Sequence, residues 1–75
     1  MKTINNTNLS EREFQIMELV SEGKQNKEIA DILDLQPDTI GKNLLHIFPK
    51  LGVQNRTEAT LKFLELTGRI TFSEV

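Results

Sequence analysis

The chain has 75 residues, of which 37% are hydrophobic and 27% charged, and its net charge of −2 argues mildly against nucleic-acid binding. This length forms one small, marginally stable domain, and the absence of cysteine excludes disulfides and thiolate metal sites and fits a cytoplasmic location. No apolar run approaches the roughly 20 residues of a membrane span, and the polar start has no apolar segment typical of a signal peptide, so neither is expected.

The first predicted helix begins after Ser10. Ser10 is expected to cap the free N–H groups, and Glu13, three residues later, completes a capping box. Leu9 is expected to pack onto Phe14 from outside the helix. Side chains at helical spacing form the apolar face, namely Phe14, Ile16, Met17, Leu19 and Val20. Gly23 permits the left-handed cap that ends this helix.

A second, shorter helix is predicted from about residue 27 to residue 33, with Asn26 as its cap. Its buried stripe consists of Ile29, Ala30 and Leu33. A turn follows at residues 34–36, with Leu35 as its buried anchor. Pro37 then favours the start of a third helix, because its missing N–H would be unbonded in the first turn anyway.

The third helix is predicted to pack one face inward and to present a polar face outward. The inward face consists of Ile40, Leu44, Ile47 and Leu51. The polar side chains that fall largely on other faces are Thr39, Lys42, Asn43 and His46. Gly41 and Pro49 are poor helix formers, and we expect the helix to bend or tighten near residues 45–49.

The last helix is predicted from Arg56 to Leu66, with Asn55 as its cap, Glu58 completing a capping box and Gly68 as its stop. One apolar stripe consists of Ala59, Phe63 and Leu66. Leu61 and Leu64 fall partly outside this stripe, so they belong either to the core or to a dimer interface.

Two short helices joined by a tight turn are typical of a helix-turn-helix, which places its second helix in the major groove of DNA. Residues 36–53 carry Lys42 and Lys50 against Asp38, for a net charge of +1. Residues 1–35 carry seven acidic and four basic side chains, for a net charge of −3. The charge pattern therefore favours residues 36–53 as the DNA-binding part, with weak affinity that salt screens easily.

Five short motifs resemble the LuxR-type (GerE-like) DNA-binding domain. They are Leu9-Ser10-Glu11-Arg12-Glu13, Asn26-Lys27-Glu28-Ile29-Ala30, Thr39-Ile40, Lys50-Leu51-Gly52-Val53 and Asn55-Arg56-Thr57-Glu58-Ala59. The resemblance implies an all-α domain of four helices over residues 9–68, with the third helix as the recognition helix. Residues 1–8 would then be a flexible N-terminal arm and residues 69–75 a C-terminal tail.

The resemblance also implies a DNA-binding site. Its residues would be Thr39, Lys42 and Asn43 facing DNA, Asn26 and Lys27 meeting phosphates, and Lys50 and Arg56 contacting the DNA backbone. The fourth helix would carry the dimer contact, through Leu61 and Leu64. The chain departs from the family pattern at three positions: Gly41 stands where the family usually has lysine, Asn43 where it usually has histidine, and Pro49 where it usually has a helix former.

The function expected from these features is that of a bacterial-type transcriptional regulator, or the output domain of a response regulator, that binds double-stranded DNA as a homodimer. The alternative is a protein-interaction module on the same scaffold, using the last helix. An enzyme is not expected, because His46 is the only histidine and no paired carboxylates or phosphate-binding loop are present. Neither a cofactor nor a metal is expected.

Overall fold

The computed structural model describes residues 7–69, which form four α-helices and no strand. The helices are α1 (Glu11–Ser21), α2 (Asn26–Leu33), α3 (Pro37–Leu51) and α4 (Arg56–Leu66). The closest pairings are α2 with α3 and α1 with α4. The predicted all-α fold of four helices is confirmed.

The predicted caps of α1 and α4 are present, with one difference. Ser10 Oγ accepts a hydrogen bond from the N–H of Glu13 (3.2 Å), and the N–H of Ser10 donates to the Glu13 carboxylate (2.9 Å). Asn55 Oδ1 accepts from the N–H of Glu58 (2.9 Å). The Glu58 carboxylate, however, accepts from the N–H of Gln54 (3.0 Å), one residue earlier than a capping box requires.

The start of α2 differs from the prediction. Gln25 is the cap, with extended backbone, and its N–H donates to the Glu28 carboxylate (2.8 Å). Asn26 is already helical, and its side-chain oxygen accepts a hydrogen bond from Arg56 (2.8 Å). The prediction that Asn26 caps α2 is wrong, because the chain turns helical one residue earlier and α4 binds the Asn26 amide.

The turn between α2 and α3 lies at the predicted residues. Asp34 adopts a left-handed conformation (φ 59°), which aspartate tolerates better than most residues. The N–H of Leu35 then donates to the Ala30 carbonyl (2.8 Å), which satisfies a free carbonyl at the end of α2. Pro37 is the first residue of α3, and α3 stays α-helical through Pro49 instead of tightening.

The core lies between the four helices and contains the predicted stripes. The buried apolar side chains are Leu9, Ile16, Met17, Val20, Ile29, Ala30, Ile40, Leu44, Ile47, Leu51, Ala59 and Phe63. Phe14 packs edge-on against Phe63, with ring centroids 5.0 Å apart. Of the expected arm, only Thr7 and Asn8 lie within the described residues, and Thr7 is buried. Of the expected tail, only Arg69 is described; it pairs with Glu18.

Candidate nucleic-acid interface

The exposed side of α3 is the candidate DNA-binding surface. Because Ile40 and Ile47 point into the core, residues half a turn away point to solvent. The exposed residues of α3 on that side are Asp38, Lys42, Leu45, His46 and Pro49. Lys42 forms no ion pair within residues 7–69, so its ammonium group is available to an anionic partner.

Thr39 and Asn43 flank this surface and are bonded to each other. Both are half-buried, and the Asn43 amide nitrogen donates to the Thr39 carbonyl (2.7 Å) one turn earlier. This bond uses one of the two amide N–H groups of Asn43. The second N–H donates to no described residue and the side-chain oxygen accepts from none, so Asn43 retains both a donor and an acceptor.

The amino end of α2 lies beside the first turns of α3. A methyl group added to Gly41 would lie 3.9 Å from the Asn26 amide nitrogen, which is ordinary van der Waals distance. Lys27, the next residue of α2, is exposed and forms no ion pair within the described chain. The structure therefore brings Asn26 close to Gly41 of α3, and Lys27 follows Asn26 in the first turn of α2. The free N–H groups at the start of a helix also favour phosphate.

Arg56 joins α4 to the amino end of α2. Its guanidinium donates to Asn26 Oδ1 (2.8 Å) and to the Lys24 carbonyl (2.5 Å). Arg56 and Asn26 are both half-buried. The guanidinium predicted to contact the DNA backbone is thus already bound to the residue predicted to contact phosphate.

Lys50 lies on a different side of α3, against α1. Its ammonium group pairs with the Glu13 carboxylate at 2.7 Å. Burial opposes ionisation of Glu13, but the hydrogen bonds from Lys50 and from Ser10 outweigh it and hold the pKa of the Glu13 carboxyl below its ordinary value. Because 40% of the Lys50 side chain is still exposed, it retains access to a further anion.

Leu45 also lies on the candidate surface, although it belongs to none of the motifs that predicted the site. It is 71% exposed, more than Ile32 and Leu61, the other large apolar side chains exposed within residues 7–69. Helical spacing already places position 45 away from the buried stripe, so the pattern contained the signal.

The predicted dimer residues lie on α4. Leu61 is 44% exposed, and Leu64 is half-buried. Leu61 stands between two shallow clefts, one shared with Val20 and Thr60, the other with Val53 and Lys62.

Two other features are absent from residues 7–69. That part of the chain holds no group of three or more His, Asp or Glu side chains arranged to bind a metal ion. None of its helices combines the length and hydropathy needed to cross a bilayer.

Comparison with known proteins identifies the fold as a bacterial regulatory domain. The family model described as bacterial regulatory proteins, luxR family, matches residues 7–63. The chain is 33% identical over 60 residues to the nitrate/nitrite response regulator protein NarP of Escherichia coli, covering 80% of this chain and 28% of NarP. It is 40% identical over 57 residues to the transcriptional regulatory protein DesR of Bacillus subtilis, covering 76% of this chain and 29% of DesR.

A third relative has a different size. The chain is 38% identical over 65 residues to the HTH-type transcriptional regulator MalT of Yersinia pestis, covering 83% of this chain and 7% of MalT. The matched region thus spans less than a third of each of these relatives, whose names describe regulators. With the four-helix fold and a family model that matches most of its length, the chain belongs to the luxR family of bacterial regulatory proteins.

Proposed function

We propose that this domain binds double-stranded DNA by inserting the exposed side of α3 into the major groove. We propose further that it is either a transcriptional regulator itself or the output domain of a larger regulator. The observation that carries the proposal is the arrangement of α2 and α3 in a chain of the luxR family. The α2–α3 turn fixes α3 with Lys42 exposed on its outer side. We propose binding, rather than catalysis, as its activity, and the cytoplasm as its location, because bacterial DNA lies there.

The proposed contacts fall into two groups. Lys42, Thr39 and Asn43 face the groove, where the free N–H and oxygen of Asn43 suit the edge of an adenine. Asn26 and Lys27 approach phosphates at the amino end of α2, where the helix dipole also favours negative charge.

Lys50 and Arg56 are proposed to contribute less directly. Lys50 reaches phosphate while it remains paired with Glu13, so its contribution to binding is reduced. Arg56 holds Asn26 in place through its bond to the Asn26 side chain, and any phosphate contact by its guanidinium is additional to that bond.

Dimerisation through α4 is proposed for the DNA-bound form. Two copies joined through Leu61, with Leu64 beside it, would bind half-sites about one helical turn apart. Sedimentation of the domain on a duplex carrying two half-sites tests this: a complex with two copies is expected, and Leu61→Glu should leave one copy bound. A single wild-type copy at saturation would remove the dimer.

The second candidate function is binding of a protein partner through α4. The observation that favours it is the exposed Leu61 between two clefts, together with the net charge of −2. Titration of the domain with random-sequence duplex at low salt separates the two functions. We expect saturable binding that weakens as salt rises. Failure to bind duplex at low salt would contradict the DNA-binding proposal and leave the protein-partner function.

A further inference from the structure

Leu45 is an exposed apolar side chain on an otherwise polar helix surface. It is 71% exposed, whereas its neighbour Leu44 and the core residue Ile47 are buried. Residues three and four positions apart share one helix face, so Leu45 lies beside Lys42 and Pro49, which are both exposed. Leu45 therefore contributes little to the core and projects from the middle of the proposed DNA-binding surface.

The same surface combines polar side chains, at Asp38, Lys42 and His46, with positions that offer bases few or no hydrogen bonds. Gly41 has no side chain, Pro49 has no polar side-chain atom, and Asn43 donates one N–H to the Thr39 carbonyl. Sequence recognition in the major groove also uses apolar contact, because the C5-methyl group of thymine is exposed there. Leu45 has the chemistry and the position for that contact, and Lys42 one turn away supplies charge that complements the neighbouring phosphates.

We propose that Leu45 is a specificity-determining residue, which contacts the C5-methyl group of a thymine in each half-site. This inference rests on the proposed DNA-binding function. The inference adds to that function the kind of base that is recognised and the side chain that recognises this base.

The test removes the methyl group from DNA and the leucine from the protein. Duplexes that bind the wild-type domain are first selected from a random pool. Each thymine of a selected duplex is then replaced by deoxyuridine, which lacks the methyl group but keeps the pairing and the major-groove oxygen. At one thymine per half-site we expect deoxyuridine to weaken wild-type binding about fourfold, the factor for burying one methyl-sized group. The Leu45→Ala variant should bind both duplexes equally.

Ile32→Ala is the matched control, because Ile32 is 55% exposed but lies on α2. This variant should retain the full deoxyuridine effect. Leu45→Ala should fold normally, since it removes an exposed side chain and alanine favours helix; urea unfolding checks this.

The outcomes distinguish this inference from the proposed function. If deoxyuridine weakens the wild-type domain and Leu45→Ala equally at every thymine, or weakens neither, Leu45 does not read a methyl group, although duplex binding stands. If the selection yields no duplex that the wild-type domain binds, this inference and the proposed function both fail.

Discussion

The buried side and the exposed side of α3 depend on different features of the chain. The buried side depends on helical spacing alone, and its four apolar residues, Ile40, Leu44, Ile47 and Leu51, all lie in the core. The exposed side depends on which polar groups the fold leaves without a partner. Lys42 on that side forms no ion pair within residues 7–69, whereas Asn43 beside it is bonded within its own helix and Lys50, on a different side of α3, is paired with Glu13. A recognition surface is thus defined by the side chains that the fold leaves available.

The largest effect is expected from the buried side. Ile47 is fully buried, so Ile47→Ala should lower the free energy of unfolding by about 2–5 kcal/mol, a large part of the stability of a small domain. Urea unfolding followed by circular dichroism measures this loss. Lys42→Ala, on the exposed side, should change it by less than about 0.5 kcal/mol. Equal losses in the two variants would mean that α3 does not divide into a structural and a binding side.

A smaller effect, of opposite sign, is expected at Gly41. Gly41→Ala should stabilise the domain by about 1 kcal/mol, because alanine is the better helix former and the added methyl meets nothing closer than 3.9 Å. Thermal unfolding measures the gain.

Gly41→Lys should also strengthen DNA binding, since it adds a cation beside Asn26 and Lys42, near the proposed phosphate contacts. Gly41→Gln, of similar length but uncharged, is the control. Weaker binding by both variants would show that the DNA backbone approaches α3 closely at Gly41, so that a side chain is not tolerated there.

The smallest effect is expected at the Glu13–Lys50 pair. Because the pKa of Glu13 is lowered in the folded domain, its ionised form stabilises the fold above the ordinary glutamate pKa, and this stabilisation is lost as the pH falls through the folded-state value. Lys50 is partly exposed, so we expect less than about 1 kcal/mol.

Nuclear magnetic resonance titration of the Glu13 carboxyl carbon tests the cause. Lys50→Met should raise the pKa of Glu13, because burial raises this pKa and the variant removes the lysine that lowers it. Lys62→Met, which removes an exposed lysine from α4, is the control. An unchanged Glu13 titration in Lys50→Met would show that Lys50 does not hold that pKa down.

Local patterns predicted the fold well, because they involve residues close in sequence. The Ser10–Glu13 capping box and the glycine stops at Gly23 and Gly68 follow from such patterns and are confirmed. The predicted cap of α2 was wrong by one residue. Gln25 and Asn26 are both polar, and only the backbone conformation shows that Gln25 is the cap.

The candidate site was harder to predict, because its polar contacts join residues far apart in sequence. Arg56 binds Asn26 across 30 positions, and Lys50 binds Glu13 across 37. No spacing rule connects such pairs, so the sequence alone did not show that Arg56 and Lys50 already have partners within the fold. The roles assigned to these residues in DNA binding stay predictions.

The salt dependence of DNA binding by Lys42→Ala tests most directly whether the exposed side of α3 meets DNA. Affinity for one duplex is measured by fluorescence anisotropy over a series of salt concentrations. Lys62→Ala serves as the control, because it removes the same charge from α4. Lys42→Ala should weaken binding and reduce the slope of log affinity against log salt by about one, while Lys62→Ala leaves the slope unchanged. Equal slopes for the wild-type domain and Lys42→Ala would contradict the proposed docking of α3.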